Sequence, residues 1–519
     1  MANTVLDSLK RITNKTLTDN GAVAQKSTLD AVYDMFAFGG AYRKKTDDDC
    51  KLLFKKAYQE DPTLALKCLF YLRDILGGQG ERRFFRICFQ WLANNDKEAA
   101  IRNLIHIAEF GRYDDLIYST INTPIEDVAF DMVAAQLKLD MDCKTPSLLA
   151  KWVPSCNASA KTTIATGNKL RQHMGLTHKE YRKMLSELRT KINIVEKLMS
   201  ENRWDEIEFD KIPSRAGLIY KNAFARHDIE RMKANPTVQS YETFIKDETT
   251  TVNAKTLYPY ECVDKAFKAM RSGWGYGGGV ALDNVDRLAV NKYWANLEDY
   301  FKDSVFNGMA IVDTSGSMTG STASAPINVA ISLGLYCAEK AQGPFANHFI
   351  TFSSNPTFVE VEGVDFCDKV VRMSHADWGG STNIEAAFDM MLNVAIRNNC
   401  SQDEIPQNLI IISDQEFDAC AVSGPRSEER WFYGNARIED KKTLMESIEK
   451  RWAAKGYKMP NLVFWNVDAR QNNIPMKVKD GISFVSGMSS SIFQQIMSGK
   501  TAEDLMYEVL NGERYKAVK

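Results

Sequence analysis

The 519-residue chain has no run of eighteen apolar residues, and its opening stretch MANTVLDSLKRITNKT has no apolar core. Neither secretion nor a membrane-spanning helix is expected from such a pattern. Ten cysteines are scattered without a C-x-x-C pair or a histidine at zinc spacing. A disulfide framework and a zinc cluster are thus not expected, and reduced thiols point to the cytoplasm. There is no G-x-S-x-G elbow, no H-E-x-x-H helix and no base at recognisable spacing from a cysteine, so no enzyme class is indicated. GGQGER at 77–82 lacks the Lys-Ser/Thr pair of a phosphate loop and follows a helical pattern rather than a strand, and ASAKTT at 158–163 fails similarly. A nucleotide cofactor is not expected. Net charge is close to nil, at −2, so no global field draws the chain to nucleic acid or a membrane surface.

Against these absences stands Met309 to Met318, MAIVDTSGSM. The apolar run Met309 to Val312 reads as a buried strand that breaks into Asp313, Ser315, Gly316 and Ser317. One carboxylate and two hydroxyls at alternate positions past a strand end can converge on one point. Oxygen-only ligation of this kind suits a hard divalent cation such as Mg²⁺. Two further segments add donors. Trp378 to Asn383 is a Gly-rich loop that offers the Thr382 hydroxyl before an amphipathic helix, Ile384 to Ile396. Asn408 to Asp414, NLIIISD, is an apolar strand ending in a carboxylate. All three ends lie where open α/β sheets collect ligands, outside the carboxyl ends of the strands.

Residues 1 to about 270 carry apolar residues at three- and four-residue spacing, at 64–75, 82–92, 98–110, 125–139 and 177–199, with little strand-like alternation. Serial helices of this kind suggest an α-helical repeat, a HEAT-like solenoid or ring. After a Gly-rich stretch, 271–280, the pattern changes to alternating strands and helices, which predicts a doubly wound α/β domain. The expected helix is 325–341, and the expected strands are 347–353, 357–361, 461–467 and 482–486. The expected fold is therefore α plus α/β, divided at about 290 into 1–290 and 291–519.

Charge is uneven within this frame. Residues 151–200 hold ten Lys/Arg and three acids, a local excess of seven. The helix from Thr177 buries Tyr181, Leu185, Leu188, Ile192 and Val195, leaving Lys179, Arg182, Lys183 and Arg189 on or near an outward face. Lys161, Lys169, Arg171 and His173 precede it. A cluster of this kind attracts a phosphate backbone and releases its counterions.

The D-x-S-x-S pattern, the later Thr and the Asp after a strand resemble the metal-ion-dependent adhesion site of von Willebrand factor A domains. That resemblance implies that Ser315, Ser317 and Thr382 touch a metal, which Asp313 and Asp414 bind directly or through water. LRDILGGQGERRFF at 72–85, FGRYDDLI at 110–117, LLAKWVPS at 148–155, YRKMLSELR at 181–189 and NRWDEIEFDKIPSRA at 202–216 resemble motifs of a family of unknown function. In that family a helical domain is joined to a von Willebrand A domain, and it is similar to the Ro autoantigen of the TROVE group. The match runs from about residue 30 to the C-terminus. It implies an RNA-binding protein of Ro-like ribonucleoprotein type, taking single-stranded, misfolded or small structured RNA, with a divalent cation in the A domain. Two other readings stay open: a protein scaffold whose metal takes a partner's carboxylate, and a metal-dependent nuclease.

Overall fold

A computed structural model of the chain describes residues 13–271, 284–302, 305–319, 325–373, 380–418, 443–471, 473–497 and 502–519. The Gly-rich stretch 272–280, the residues His375, Asp377 and Trp378, and the aromatic run Trp431, Phe432 and Tyr433 lie outside them. Among the described residues no helix is long and apolar enough to cross a membrane. The architecture is α plus α/β, in two compact units. They do not follow chain order. The first takes the described residues within Met1–Cys68, Tyr258–Gly279 and Asp299–Gly512, and the second those within Leu69–Leu257, Val280–Glu298 and Glu513–Lys519.

The first unit contains a small hairpin, β1 (Lys15–Leu17) and β2 (Val23–Gln25), and a six-stranded sheet. The sheet strands are β3 (Gly308–Asp313), β4 (His348–Phe352), β5 (Thr357–Glu360), β6 (Asn408–Ser413), β7 (Asn461–Asn466) and β8 (Ile482–Ser486). Their order is β5-β4-β3-β6-β7-β8, with β5 antiparallel and every other pairing parallel. The four central strands read as near-continuous apolar runs because both faces are covered. Ile311, Val312, Ile410, Ile411 and Ile412 are fully buried. From β3 the chain leaves to one side for β4 and returns on the other for β6, which makes the β3/β6 edge a topological switch point. Asp313 ends β3, and Asp414 directly follows β6.

The hairpin did not register as strand in the sequence because three-residue strands are too short to show an alternating period. The helix Ala31–Phe38 follows it in the same unit and packs on β8, where Tyr33 Oη accepts a 3.0 Å bond from the amide of Phe484.

The second unit is helical, with no strand among its described residues. Its α-helices run from four residues (Ile107–Phe110) to seventeen (Glu126–Asp142). The pattern 177–199 is not one helix. It divides into His178–Lys191 and Val195–Ser200, because Asn193 takes a left-handed conformation at φ 50°. GGQG serves as a tight turn: Gln79 N donates to Tyr71 O at 3.2 Å, and Glu81 N to Leu72 O at 2.7 Å. A Cβ on Gly78 would sit 1.9 Å from the Tyr71 carbonyl oxygen. Gly78→Ala is therefore expected to destabilise this unit by about 1–3 kcal/mol, read as a lowered urea midpoint.

A buried ion network joins two of the quoted motifs. Asp115 Oδ2 accepts from Arg73 Nε at 2.8 Å and Nη2 at 2.6 Å, and its Oδ1 accepts from Arg86 Nε at 2.7 Å. Asp114 accepts from Arg86 Nη2 at 2.7 Å and Arg112 Nε at 2.8 Å. The last seven residues, 513–519, also belong to this unit. Tyr515 Oη donates to the buried Asp74 at 2.8 Å, and Arg514 Nη2 donates to the same carboxylate at 2.7 Å.

Candidate metal centre and basic groove

At the carboxyl edge of β3 and β6 Asp313, Ser315, Ser317 and Asp414 lie together, and the Thr382 loop is tied to the chain leaving Asp414. Asp313, Ser315, Thr382 and Asp414 are all at most 1% exposed, and Ser317 is half-buried. The chain turns immediately after β3, so the Ser315 amide donates to Asp313 Oδ1 at 2.9 Å and the Ser315 and Ser317 hydroxyls lie 3.0 Å apart. Ser413 Oγ, from the end of β6, donates to Asp313 Oδ2 at 2.5 Å. Thr382 is placed by the loop before the helix Ile384–Arg397, where Asn383 N donates to Ser353 O at 3.1 Å at the end of β4. Asp418 N donates to Thr382 O at 3.0 Å, which ties that loop to the chain leaving Asp414.

Two buried carboxylates share this edge. Burial raises the pKa of Asp313, and the neighbouring Asp414 raises it further, against hydrogen bonds from Ser413 and Ser315. Burial also raises Asp414, opposed by the Ser317 hydroxyl, the Glu416 amide and the Arg470 guanidinium. Adjacent buried carboxylates need a cation, a proton or a salt-bridge partner. Among the described residues Asp414 Oδ2 has no hydrogen-bond partner, and neither do the buried Gln415 Oε1 next to it in the chain and Ser353 Oγ just after β4. Among the described residues Asp414 has one ion-pair partner, Arg470, whose Nε stands 3.4 Å from Oδ2 while its Nη2 donates to Ser317 O at 2.6 Å. Among the described residues no three His, Cys, Asp or Glu side chains converge as a metal cluster. The donor set is two carboxylates plus hydroxyls. Orphaned oxygens around paired acids fit a hard divalent cation that keeps some water.

Several residues of this edge carry no sequence signal. Ser413 stands at the polar end of NLIIISD and was legible only as strand terminus. Glu416 is 1% exposed and pushed up to about 7 by burial, and it accepts from Asn473 Nδ2 at 3.1 Å. Arg470 and Asn20 reach the site from distant parts of the chain; Asn20 Nδ2 donates to Thr382 Oγ1 at 3.3 Å.

The eight basic candidates of the helical unit do not share one environment. Lys169 Nζ bonds Asn122 at 2.8 Å and Glu126 at 3.0 Å, and His173 contacts Asp131 at 2.8 Å. Arg171 Nη1 donates to Leu176 O at 2.6 Å. Arg189 does not stand on the outward face as its spacing from Arg182 suggests. It turns in to Ala150 O at 2.8 Å, Val153 O at 3.1 Å and Ser155 Oγ at 3.0 Å. Carbonyls left without intrahelical partners at the end of the short helix Leu149–Trp152 capture it. Lys161, Lys179, Arg182 and Lys183 are exposed. The last three line a groove of about 940 Å³ that also includes Ser155, Asn157 and Tyr181. No intramolecular hydrogen bond or ion pair holds these three among the described residues.

Comparison with known proteins gives two family matches, one described as "Domain of unknown function (DUF7788)" over residues 307–518 and one as "Domain of unknown function (DUF2828)" over 18–121 and 125–304. Neither is a von Willebrand A or TROVE family. The chain is also similar to "Uncharacterized protein L728" of Acanthamoeba polyphaga mimivirus, at 30% identity over 523 residues, covering 94% of this chain and 85% of that protein. With more than half of its residues matched by one family and near-complete alignment to this relative, the chain belongs to the DUF2828 family.

Proposed function

We propose that the protein is a cytoplasmic RNA-binding protein of Ro-like ribonucleoprotein type, whose helical unit takes single-stranded or small structured RNA. On this reading the sheet unit is a von Willebrand A-like domain with a divalent cation, Mg²⁺, held by Asp313, Ser315, Ser317, Thr382 and Asp414. The helical unit would be a Ro-like arc of helix repeats. The observation that carries the RNA reading is the groove lined by Lys179, Arg182 and Lys183, three exposed cations without intramolecular partners. Cations already engaged in ion pairs gain little from a phosphate, whereas these three would release counterions on meeting one.

The test is retention of labelled single-stranded and hairpin RNA across a salt series. Salt-insensitive or absent retention overturns the reading. RNA shortened only with Mg²⁺ would favour the nuclease alternative, and a partner protein captured only with Mg²⁺ would favour the scaffold.

The cation is tested separately. At a hundredfold excess over its dissociation constant, Mg²⁺ is expected to stabilise the protein by about 2.7 kcal/mol. Asp313→Ala is expected to abolish that gain, because one of two anionic ligands is lost. The same change relieves repulsion with Asp414 and is expected to leave the metal-free protein folded, as seen by thermal melting in chelator.

A further inference from the structure

The hairpin of β1 and β2 has strands of three residues each. A two-stranded ribbon that short is at best marginal in water, so its order comes from what it rests on. Its turn closes with the Gly21 amide on Thr18 O at 2.9 Å and the Ala22 amide on the Thr18 hydroxyl at 2.9 Å, with Gly21 at φ 89°. Most of this turn's contacts to the sheet run to the candidate metal edge or to residues just beyond it, and Gln471 Nε2 donates to Asp19 Oδ1 at 3.2 Å. Thr18 Oγ1 donates to Phe417 O at 2.7 Å, and the Asp19 amide donates to Glu416 Oε2 at 2.7 Å. Asn20 Nδ2 donates to Glu416 O at 2.6 Å and to the Thr382 hydroxyl at 3.3 Å. Gly21 forms an antiparallel bridge with Asp418. The segment 416–418 begins two residues after Asp414, and Thr382 is itself a candidate ligand. The turn is therefore seated on the groups that would surround a cation, at the strand ends where an incoming ligand would approach.

We infer that the turn Thr18–Ala22 is the built-in occupant of the metal face, so that hairpin docking and cation binding reinforce each other and an outside carboxylate is kept away. The inference rests on the metal reading above. Asn20 is the positioning residue. By donating to one lone pair of the Thr382 hydroxyl it leaves the other for a cation, and through Glu416 O it holds the chain leaving Asp414. An outer partner of this kind commonly changes metal affinity by about 10–100-fold. Because coupling between two binding events is reciprocal, the factor by which Asn20 strengthens the cation site is the factor by which the cation holds the turn.

The experiment uses the full chain, with Mg²⁺ binding measured by calorimetry and amide exchange followed at residues 15–25 with and without Mg²⁺. The expected result is that Mg²⁺ slows exchange of these amides at least about tenfold, and that Asn20→Ala weakens Mg²⁺ binding by about the same factor. In Asp313→Ala the hairpin should no longer respond to Mg²⁺. If Mg²⁺ binds the wild-type chain while exchange at 15–25 is unchanged, this inference is overturned and the metal reading stands. If Mg²⁺ does not bind the wild-type chain at all, both are overturned. The exchange comparison is made on the wild-type protein, so it holds even where Asn20→Ala loosens the fold.

Discussion

Replacing Lys179, Arg182 and Lys183 together by alanine is expected to lower affinity for single-stranded RNA about a hundredfold at 0.1 M salt. Each phosphate neutralised on a single strand contributes a slope of about −0.7 in log affinity against log salt. Three lost contacts therefore shallow the slope by about 2, which extrapolates at 0.1 M to about two decades relative to 1 M. The loss should be uniform across RNA sequences, since a phosphate contact carries no base information. Filter binding at several salt concentrations checks both the magnitude and the slope. The matching change at Lys169 and His173 should have a smaller effect, because Glu126 and Asp131 already engage those side chains. Equal losses from the two sets would sink the groove as the contact surface. The triple variant should keep its melting temperature, since these side chains are exposed and make no bonds that hold the helix.

The second large effect is on stability. Asp115→Ala is expected to cost the helical unit about 3–5 kcal/mol, the usual range when one member of a buried ion pair is removed. Asp115 is 0% exposed, and Arg73 is only 3% exposed at the side chain. Without the carboxylate, Arg73 keeps a full charge away from water, and Arg86 loses one of its two acidic partners. Pairing the change with Arg73→Met removes the stranded charge and should restore part of the loss, because a buried pair replaced by apolar groups is often near neutral. Chemical denaturation followed by a probe within the helical unit distinguishes the two variants. Equal stability of the single and double variants would show that the Arg73–Asp115 pair does not govern this region.

This network also explains why certain motifs were visible before their purpose was. Arg73 lies in the LRDILGGQGERRFF stretch, while Arg112, Asp114 and Asp115 lie in FGRYDDLI. Arg73 and Asp115 stand 42 positions apart in the chain, yet the two stretches share one buried carboxylate pair. Likewise Arg189, in YRKMLSELR, satisfies carbonyls of LLAKWVPS. As local strings both pairs were plain; as interactions they required the fold. For Arg189 the consequence is a change of role. Its spacing suggested a surface cation, and the structure makes it a cap on a short helix.

The sheet strands and the helix after β3 were legible because their determinants are local. Unbroken apolar runs bounded by polar turns specify buried parallel strands, and three- to four-residue periods specify helices. The same locality exposed Asp313, Ser315, Ser317 and Asp414, each within four residues of a strand end. It also misled. The period from 177 to 199 ran through Asn193, whose left-handed backbone breaks the helix without breaking the apolar pattern.

From its own order of residues the chain therefore determined its helices, its parallel strands and the oxygen-bearing ends of those strands, since each depends on neighbours a few positions apart. Only the tertiary structure decided that residues 15–25 and Arg470 meet the Asp313–Asp414 edge, and which basic side chains remain free. Those outcomes depend on groups hundreds of positions apart competing for the same hydrogen bonds. No local period encodes the winner of that competition.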